Sequence, residues 1–216
     1  MNYPLLTPNA PFDAVILGDG DFPHHPLALQ LLANAPYLCC CDGAALQAVE
    51  KEFTPHAIVG DGDSLPPHFK MRYQNILHLV AEQDDNDLTK ATRYCREQGM
   101  KKLLYLGATG KREDHTLANI SLMVHYQQTM DVQPVLLTDY GYFLPAEGRK
   151  VFGSFAHQQV SIFNFGCSQI TGSGLKWQPV TPASWWEGTL NEALSEQFTL
   201  CGDGSYLVYR TLEPKL

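Results

Sequence analysis

The sequence lacks any long apolar run, and no window approaches the roughly 20 consecutive apolar residues that a membrane span needs. Its first residues, MNYPLLTPNAPFD, have neither the basic stretch nor the apolar stretch of an export signal. Charged residues make up only 18% of the chain, and no block of like charge occurs. These absences argue against a solvated disordered tail. We therefore expect a folded cytoplasmic protein that does not bind membranes.

Positive charge is scarce: 15 Lys and Arg stand against 23 Asp and Glu, for a formal charge of −8. This balance opposes binding to a nucleic acid backbone, so no nucleic acid partner is expected. A nucleotide carried as a magnesium complex brings its own positive charge, and a cationic small molecule would be attracted outright. With 44% hydrophobic residues among 216, the chain can form one large domain or two modest ones.

The six cysteines form no CxxC pair, and Cys39, Cys40 and Cys41 are consecutive in an apparent strand. Neighbours in a strand point to opposite faces, which argues against disulfides among these three residues, and without a CxxC pair a structural zinc site is the minor alternative. The other three cysteines lie far apart in the sequence. Buried, reduced thiols that act as small hydrophobic side chains are the expectation, in keeping with the cytoplasm.

Six short apolar runs between residues 13 and 139 end in Gly or Asp, and helical patterns separate most of them. They do not alternate with period two, which is typical of strands covered on both faces. Strands interleaved with helices indicate βαβ units and a mainly parallel sheet. The runs are DAVILGDGD, YLCCCDG, AIVGDGDS, NILHLVAEQDD, KLLYLGATG and VQPVLLTD.

Two helices are predicted beside the ends of these strands. One follows Asp87 and carries an apolar stripe at i, i+3, i+4 and i+7. The other is predicted to begin near Asp114, a favourable N-cap, directly after a glycine-rich loop. The first stripe consists of Leu88, Ala91, Thr92 and Cys95, and the buried face of the second helix of Leu117, Ile120 and Val124.

Beyond Tyr140 the pattern changes to short β-type segments separated by Gly, Pro, Ser and Asn. The predicted architecture is an α/β amino-terminal domain, residues 1–140, followed by an all-β, sandwich-like carboxyl-terminal domain, residues 141–216. The GDGD at residues 18–21 repeats the one at residues 60–63, but the flanking residues do not match. We therefore interpret the repeat as a coincidence of loop composition.

Aspartates concentrate at the predicted strand ends, where open parallel sheets bind ligands. In GDGDS, Asp61 and Asp63 are two apart, so an extended segment would place both carboxylates on one side, within reach of one hard cation. Magnesium fits, because it takes one or two carboxylates together with substrate phosphates. Gly60 and Gly62 would let the backbone approach phosphate oxygens. The same residue types also favour an ordinary turn.

A second acidic cluster, EQDDNDLTKA, puts Asp84, Asp85 and Asp87 at a helix start, with Lys90 one turn on. Acids there can simply complement the helix dipole, and Gln83 and Lys90 can be surface polar residues. A metal-dependent phosphate site needs the same acids and the same cation. The sequence therefore allows either interpretation of this cluster taken by itself.

A third element, LGATGKREDH, combines a strand end, Gly107, Gly110 and two basic residues before a helix. Backbone NH groups and Arg112 there suit anion binding, although an ordinary βα connection has a similar composition. The element is not a Walker A loop, because no GK[ST] with the required spacing occurs. His115 is more typical of a hydrogen-bonded structural histidine, and we assign it no catalytic role.

Together, CCCDGAA, GDGDS, EQDDNDLTKA and GATGKREDHTLAN follow the order and spacing of thiamine pyrophosphokinases, and the chain resembles that family over residues 39–119. Asp42 and Gly43 match the family's C-A-D-G-G-A-N, GDGDS its G-D-F-D-S, and QDDNDLTK its Q-D-x-T-D-x-T-K. The all-β tail also resembles the family's carboxyl-terminal domain. There, GLKW at 174–177 and GTLNE at 188–192 are looser matches.

The resemblance implies transfer of a diphosphate from ATP to the hydroxyl of thiamine, giving AMP and thiamine diphosphate, with Mg²⁺. It implies a homodimer whose active site lies at the subunit interface, with Thr189 and Asn191 reaching across. Either Asp84 or Asp87 would accept the hydroxyl proton. Aromatic side chains suit a cationic substrate. Candidates for stacking are Trp177, Trp185, Trp186 and Tyr206.

The resemblance also gives roles to the remaining site residues. Lys90 and Arg112 would offset charge as the β-phosphorus is attacked. The implied metal ligands are Asp61, Asp63 and Asp87. The implied nucleotide contacts are Asp42, Gly43, Gly60, Ser64, Gly107, Gly110 and Asp114, and the implied thiamine contacts are Gln83, Thr189, Asn191 and Tyr206.

Five positions depart from the family pattern. Gly62 replaces an aromatic residue, Asn86 a Thr, Leu190 a small polar residue, and Ala45 a Gly or a position that flanks Asn, while Lys111 stands where Gly is common. None of these changes removes a metal carboxylate. Two alternative functions keep the same acids: a magnesium-dependent nucleotide or phosphate-ester hydrolase, and a non-catalytic thiamine or nucleotide sensor. A pure sensor has less need of clustered like charges, which are costly to hold together.

Overall fold

The computed structural model describes residues 2–215, which divide into two compact units. The amino-terminal unit is Pro8–Thr138, and the carboxyl-terminal unit comprises residues 2–7 and 139–215. An α/β unit and an antiparallel β unit confirm the predicted fold class. The domain prediction is wrong for residues 2–7, because strand β1 (Asn2–Tyr3) pairs with a strand of the carboxyl-terminal unit.

A six-stranded parallel sheet forms the centre of the amino-terminal unit, and each strand lies in one of the six predicted apolar runs. The strands are β2 (Ala14–Leu17), β3 (Leu38–Cys41), β4 (Ala57–Gly60), β5 (Leu77–Leu79), β6 (Lys102–Leu106) and β7 (Gln133–Leu137). Their order is β5-β4-β3-β2-β6-β7. The chain therefore runs outward from β2 on one side and then returns to add β6 on the other.

Five helices accompany this sheet: α1 (Pro26–Ala33), α2 (Ala44–Glu50), α3 (Pro67–Arg72), α4 (Asp87–Glu97) and α5 (Glu113–Thr129). Helix α4 buries all four residues of its predicted stripe. Asn86 caps it by accepting a hydrogen bond from the Thr89 backbone NH at 2.9 Å. No helix within residues 2–215 is long and apolar enough to cross a membrane.

Helix α5 differs from its prediction at three residues: Asp114, Leu117 and Ile120, the last of which is only partly buried. Arg112, not Asp114, occupies the N-cap position, and the Asp114 carboxylate bonds the Arg112 guanidinium instead. Leu117 is 56% exposed rather than buried. The helix packs chiefly through its carboxyl-terminal half, where the buried side chains are Met123, Val124 and Tyr126.

The three consecutive thiols of β3 are free and buried, as predicted. Burial raises the pKa of Cys40 to about 12 and that of Cys41 well above its ordinary value. A thiol that stays protonated is a poor nucleophile and a poor metal ligand. These cysteines therefore contribute packing to the sheet.

The carboxyl-terminal unit is mainly antiparallel. It contains β8 (Gly141–Gly153), β9 (Gln158–Phe165), β10 (Ile170–Ser173), β11 (Asn191–Glu192), β12 (Gln197–Pro214) and a 3₁₀ turn, Trp185–Gly188. Strand β12 pairs with both β8 and β9, and β1 adds to β8 in parallel. Two of the β-type segments beyond Tyr140, QFTLCGDG (197–204) and SYLVYRTL (205–212), form this single strand β12. A register shift between Gly202 and Ser205 accommodates the interruption that suggested two segments.

Arg210 on β12 is fully buried among carbonyl groups and rings. Its guanidinium donates to the carbonyl oxygens of Gly153 and, at 3.1 Å, Pro4, and its central carbon lies 4.7 Å from the ring centroid of Tyr142. Burial lowers the pKa of Arg210, but a guanidinium stays charged in proteins. The side chain thus ties residues 2–7 to the β unit.

Replacing Arg210 by Met should lower the free energy of unfolding by about 3 kcal/mol, because the buried carbonyls lose their donor. Urea unfolding followed by tryptophan fluorescence measures this directly, since the chain's 3 tryptophans, at 177, 185 and 186, all lie in the carboxyl-terminal unit. The control is Arg149→Met, at an exposed position of β8. Equal midpoints for the two variants would contradict the prediction.

Candidate active site

The strand order of the amino-terminal unit reverses between β2 and β6, which is where open α/β sheets bind ligands. The loops after these two strands pack backbone to backbone: Gly20 NH donates to Gly107 O at 2.6 Å, and Asp21 NH to Thr109 O at 2.8 Å. A Cβ at Gly20 would lie 2.2 Å from Thr109 O. The glycines at residues 18–21 and 107–110 are therefore required by the close approach of the two loops.

A cavity of about 440 Å³ lies over these loops. The predicted residues in its wall are Asp61, Gln83, Asp87, Lys90, Gly107, Gly110 and Arg112. The sequence interpretation gave residues 18–21 no role, which is wrong: Gly18, Asp19 and Gly20 also line the cavity. Further lining residues are Cys41, Asp85, Asn86, Leu88, Ala108, Lys111, His115 and Asn119.

Asp61 follows β4 and is oriented by two hydrogen bonds. Its Oδ1 accepts from the Asp63 backbone NH at 2.9 Å, and its Oδ2 from Gln83 Nε2 at 3.3 Å. These donors, the backbone NH first, lower the pKa of Asp61. Asp61 therefore presents an ionised carboxylate to the cavity at neutral pH.

Asp87 and Lys90 face the cavity from the first turn of α4. The Lys90 ammonium is almost fully buried and lies 3.5 Å from Asp87 Oδ1. Burial raises the pKa of Asp87; the Lys90 charge opposes the shift, and the charges of Asp42 and Asp61 add to it. The negative charges of Asp42 and Asp61 thus act on Asp87, and the buried ammonium of Lys90 acts against them.

Asp42 supports this acidic group from behind the cavity wall. It is 3% exposed, its Oδ2 accepts from the Ser64 backbone NH at 3.0 Å, and its Oδ1 is buried without a hydrogen-bond partner among the described residues. A Cβ at Gly60 would lie 2.8 Å from Asp42 Cβ. Asp42, Gly43, Gly60 and Ser64 lie outside the cavity wall, and their contact with nucleotide stays a prediction.

Two asparagines link the acidic helix start to the glycine-rich loop. The Asn86 side-chain amide donates to Asn119 Oδ1 at 3.0 Å, and Asn119 Nδ2 donates to the Ala108 carbonyl at 2.7 Å. Sequence reasoning missed Asn119 as a site residue, although it lies within the GATGKREDHTLAN element. The structure thus explains Asn86, where the family has Thr: the side chain caps α4 and also hydrogen-bonds to Asn119.

Four predicted residues lie outside the cavity wall and are exposed: Asp63, Ser64, Asp84 and Asp114. The Asp114 carboxylate forms a two-point pair with Arg112, with Nη2 to Oδ2 at 2.6 Å, and this pair lowers the pKa of Asp114 to about 2.

Arg93, which the sequence analysis did not single out, pairs with Asp85 and, at 3.2 Å, with Glu82. These contacts hold the segment that carries Gln83 and Asp84.

Gly62, which replaces the family's aromatic residue, has a structural explanation. Its φ of +83° lies in the region that favours glycine. A Cβ there would lie 2.7 Å from Leu79 Cδ2 and 3.4 Å from Lys70 Nζ. The positive φ of the loop that orients Asp61 therefore favours glycine at this position.

Replacing Gly62 by Ala should lower the free energy of unfolding by about 1 kcal/mol and reduce turnover, because the strained loop also crowds Leu79. Gly99→Ala is a matched control: its φ is +84°, but nothing lies within 4 Å of its added Cβ. Both variants should show a similar backbone cost in thermal unfolding followed by circular dichroism. Only Gly62→Ala should lose turnover, and Leu79→Ala should restore part of it; equal turnover of the two Ala variants would count against this account.

The carboxyl-terminal unit has a cavity of its own, of about 320 Å³. Two predicted residues, Thr189 and Asn191, line it beside Trp177. Asn191 holds that wall, since its side chain donates to the Trp177 carbonyl at 2.9 Å and accepts from the Trp177 NH at 3.2 Å. Leu190 between them has a φ of +67°, a conformation unfavourable for a leucine.

Tyr206 does not belong to this cavity. It is fully buried, and its hydroxyl donates to the Gly148 carbonyl at 2.9 Å. The prediction that Tyr206 contacts thiamine is therefore wrong, because the ring packs in the β unit. The other stacking candidates are accessible: Trp177, Trp185 and Trp186 are 51%, 41% and 75% exposed.

Each of the two units matches a domain of known proteins. Residues 28–133 match the family model of the thiamin pyrophosphokinase catalytic domain, and residues 141–209 that of the thiamin pyrophosphokinase substrate-binding domain. The chain belongs to the thiamin pyrophosphokinase family. Thiamine pyrophosphokinase 1 of Oryza sativa subsp. japonica is 33% identical over 150 residues, which cover 60% of this chain and 54% of that protein. The chain therefore spans about half the length of the curated relatives it matches.

Solved structures share the fold. Thiamin pyrophosphokinase from Candida albicans matches with a TM-score of 0.80 at 14% identity, covering 98% of this chain and 92% of that one. Thiamine pyrophosphokinase from Bacillus subtilis matches with a TM-score of 0.75 at 19% identity, covering 92% and 98%. At such identities the likeness concerns architecture.

Proposed function

We propose that this protein is a thiamine pyrophosphokinase, which transfers a diphosphate from ATP to the hydroxyl of thiamine and releases AMP. The observation that carries the proposal is the convergence of Asp61, Asp87 and Lys90 on one cavity floored by two glycine-rich loops. That cavity lies in the unit that matches the family's catalytic domain. Carboxylates, a buried ammonium and close backbone approach are the parts that phosphoryl transfer uses.

In this reaction the thiamine hydroxyl oxygen forms a bond to the β-phosphorus, and the bond from that phosphorus to the oxygen bridging the α-phosphate breaks. AMP takes the bridging oxygen, and the hydroxyl proton leaves to a base. Lys90 would offset negative charge on the phosphoryl oxygens, and Arg112 would do so from the opposite loop. Of the two predicted proton acceptors, Asp87 lines the cavity and Asp84 does not.

Magnesium fits the oxygen donors of this site. Asp61 and Asp87 line the cavity, and the unpartnered Asp42 Oδ1 is buried behind them. Within residues 2–215, no three His, Cys, Asp or Glu side chains already form a metal site, but Mg²⁺ commonly takes one or two carboxylates with phosphates and water. Asp61 and Asp87 would hold the ion, with the exposed Asp63 contributing through water. Bound there, Mg²⁺ would neutralise charge on the transferred phosphates.

The proposal extends to a homodimer in which Thr189 and Asn191 of a second copy complete the thiamine site. Its support is the match to the substrate-binding domain and the cavity that these residues line with Trp177. Large apolar side chains exposed on the same unit, among them Trp186 at 75% and Leu190 at 70%, suit a protein contact. A cytoplasmic location stays a prediction.

Incubation of the purified protein with ATP, Mg²⁺ and thiamine tests the activity. Equal amounts of AMP and thiamine diphosphate are the expected products. Free phosphate released without thiamine would indicate a hydrolase, and thiamine or nucleotide binding without turnover would indicate a sensor. Omitting Mg²⁺ in the presence of a chelator should abolish product formation, and light scattering at assay concentration gives the oligomeric state.

A further inference from the structure

Lys111 and Asp19 form an ion pair on the cavity wall that the family pattern does not contain. Lys111 Nζ lies 3.1 Å from Asp19 Oδ1, and both residues line the cavity. The same oxygen accepts a second hydrogen bond from Gln47 Nε2 on α2, at 2.7 Å. Gln47 therefore holds the Asp19 carboxylate against helix α2, and that carboxylate holds the ammonium of the long, flexible Lys111 side chain.

The backbone of Lys111 is held in an unfavourable conformation. Its φ is +54°, in the left-handed region that non-glycine residues rarely adopt. Gly110 before it has a φ of +81°, and the loop is held by the hydrogen bond from the Asp21 NH to Thr109 O at 2.8 Å. A residue kept in such a conformation on a cavity wall suggests a functional constraint.

Lys111 is one of the few cationic side chains of a cavity whose other charged groups are mostly carboxylates. The lining carries Asp61, Asp85 and Asp87 together with the buried Lys90. Arg112 is already engaged by Asp114 at two points, and both side chains are largely exposed. Lys111 is half-exposed and paired with a carboxylate on the same wall, so its ammonium points along the cavity surface with donors left over.

We propose that Lys111 is a polyphosphate contact for the nucleotide and that Asp19 is the positioning residue that aims it. The inference rests on the proposed function for its ligand, a magnesium nucleoside triphosphate. Asp19 acts through Lys111: it limits the rotamers of the lysine, while Gln47 keeps the carboxylate in place. Because the Lys111 side chain is already ordered, binding of the phosphates costs less side-chain entropy.

The main test replaces Lys111 by Gly, which removes the cation and suits the positive φ, so the variant should fold at least as well as the parent. The KM for MgATP should rise about tenfold, with a much smaller change in kcat, because the contact is made in the bound state as well as during transfer. Lys111→Arg, which keeps the charge, should restore most of the affinity.

Asp19→Asn should raise the same KM about threefold to fivefold, and in the Lys111→Gly background it should add nothing, because a residue that acts through Lys111 has no effect without it. The control pair is Lys101 and Asp131, an exposed ion pair of the same unit away from the cavity. Lys101→Gly and Asp131→Asn should leave the KM unchanged.

Calorimetry of MgATP binding in the absence of thiamine distinguishes a failure of this inference from a failure of the proposed function. If the parent makes thiamine diphosphate but Lys111→Gly keeps the parent's KM and Kd, the inference is wrong. If the parent makes none but Lys111→Gly weakens nucleotide binding, the Lys111 contact stands and the proposed function fails. An additive effect of Asp19→Asn in the double variant would overturn the positioning role.

Discussion

Asp61→Asn is expected to lower turnover by about 10³-fold or more, since in the proposed function it removes a negative charge where the phosphates and their cation would be held. The fold should tolerate the change. The asparagine side-chain oxygen can still accept the hydrogen bond from the Asp63 NH, now at 2.9 Å, and residue 61 is not part of the buried core. The measurement is thiamine diphosphate formation at saturating ATP, thiamine and Mg²⁺, with thermal unfolding in parallel.

Two further carboxamide variants sharpen this prediction. Asp131→Asn changes the same charge at an exposed position away from the cavity and should keep full turnover. Asp63→Asn should lose less than Asp61→Asn, because Asp63 lies outside the cavity wall and would reach the ion through water. An Asp61→Asn variant with turnover near that of the parent would remove Asp61 from the metal site.

Lys90→Met should lower turnover by about 10²-fold to 10³-fold. The methionine fills much of the space of the lysine stem but leaves Asp87 facing Asp42 and Asp61 without the cation that now lies 3.5 Å away. Because Lys90 opposes the burial that raises the pKa of Asp87, its removal should raise that pKa further. The variant thus loses both a direct phosphate partner and the charge balance of the acidic group.

The control for Lys90 is Lys101→Met, which removes an exposed ammonium in the same unit. Nucleotide binding and turnover should be measured separately. If Lys90 acts on charge that develops during transfer, kcat should fall more than MgATP affinity. A Lys90→Met variant with the parent's kcat would show that the buried ammonium is only a structural countercharge to Asp87.

The sequence predicted local structure well where one physical requirement dominated. The six strands read as apolar runs because most of this parallel sheet is covered on both faces. Strand β5, at the edge of the sheet, is the exception, since none of its residues is buried. The stripe of α4 was correct because the whole helix lies against the sheet. The stripe of α5 failed at Leu117, since that helix packs mainly through its second half, and a periodic pattern does not show which turns meet a neighbour.

Site residues divide in a similar way. Asp61, Asp87 and Lys90 could be proposed as site residues from the sequence, because charged side chains clustered at strand ends indicate either a binding site or a helix cap. Tyr206 failed because an aromatic residue in a strand can face a core or a ligand, and the sequence does not say which. Asn119 was missed because its partner Asn86 is distant in the sequence. Arg93 was missed although its partners Asp85 and Glu82 lie nearby, because the pattern of the sequence does not show which way the segment before α4 turns.

The sequence by itself determined the two kinds of unit, the strands of the parallel sheet and the family. It also named the carboxylates that we propose hold a hard cation. The tertiary structure decided which strands are neighbours. By placing β6 beside β2, it brought residues 18–21, set aside as a coincidence, against residues 107–110 and set Asp19 opposite Lys111. Strand order depends on which side of the sheet each crossover returns to, and that choice leaves no periodic trace in the residues themselves.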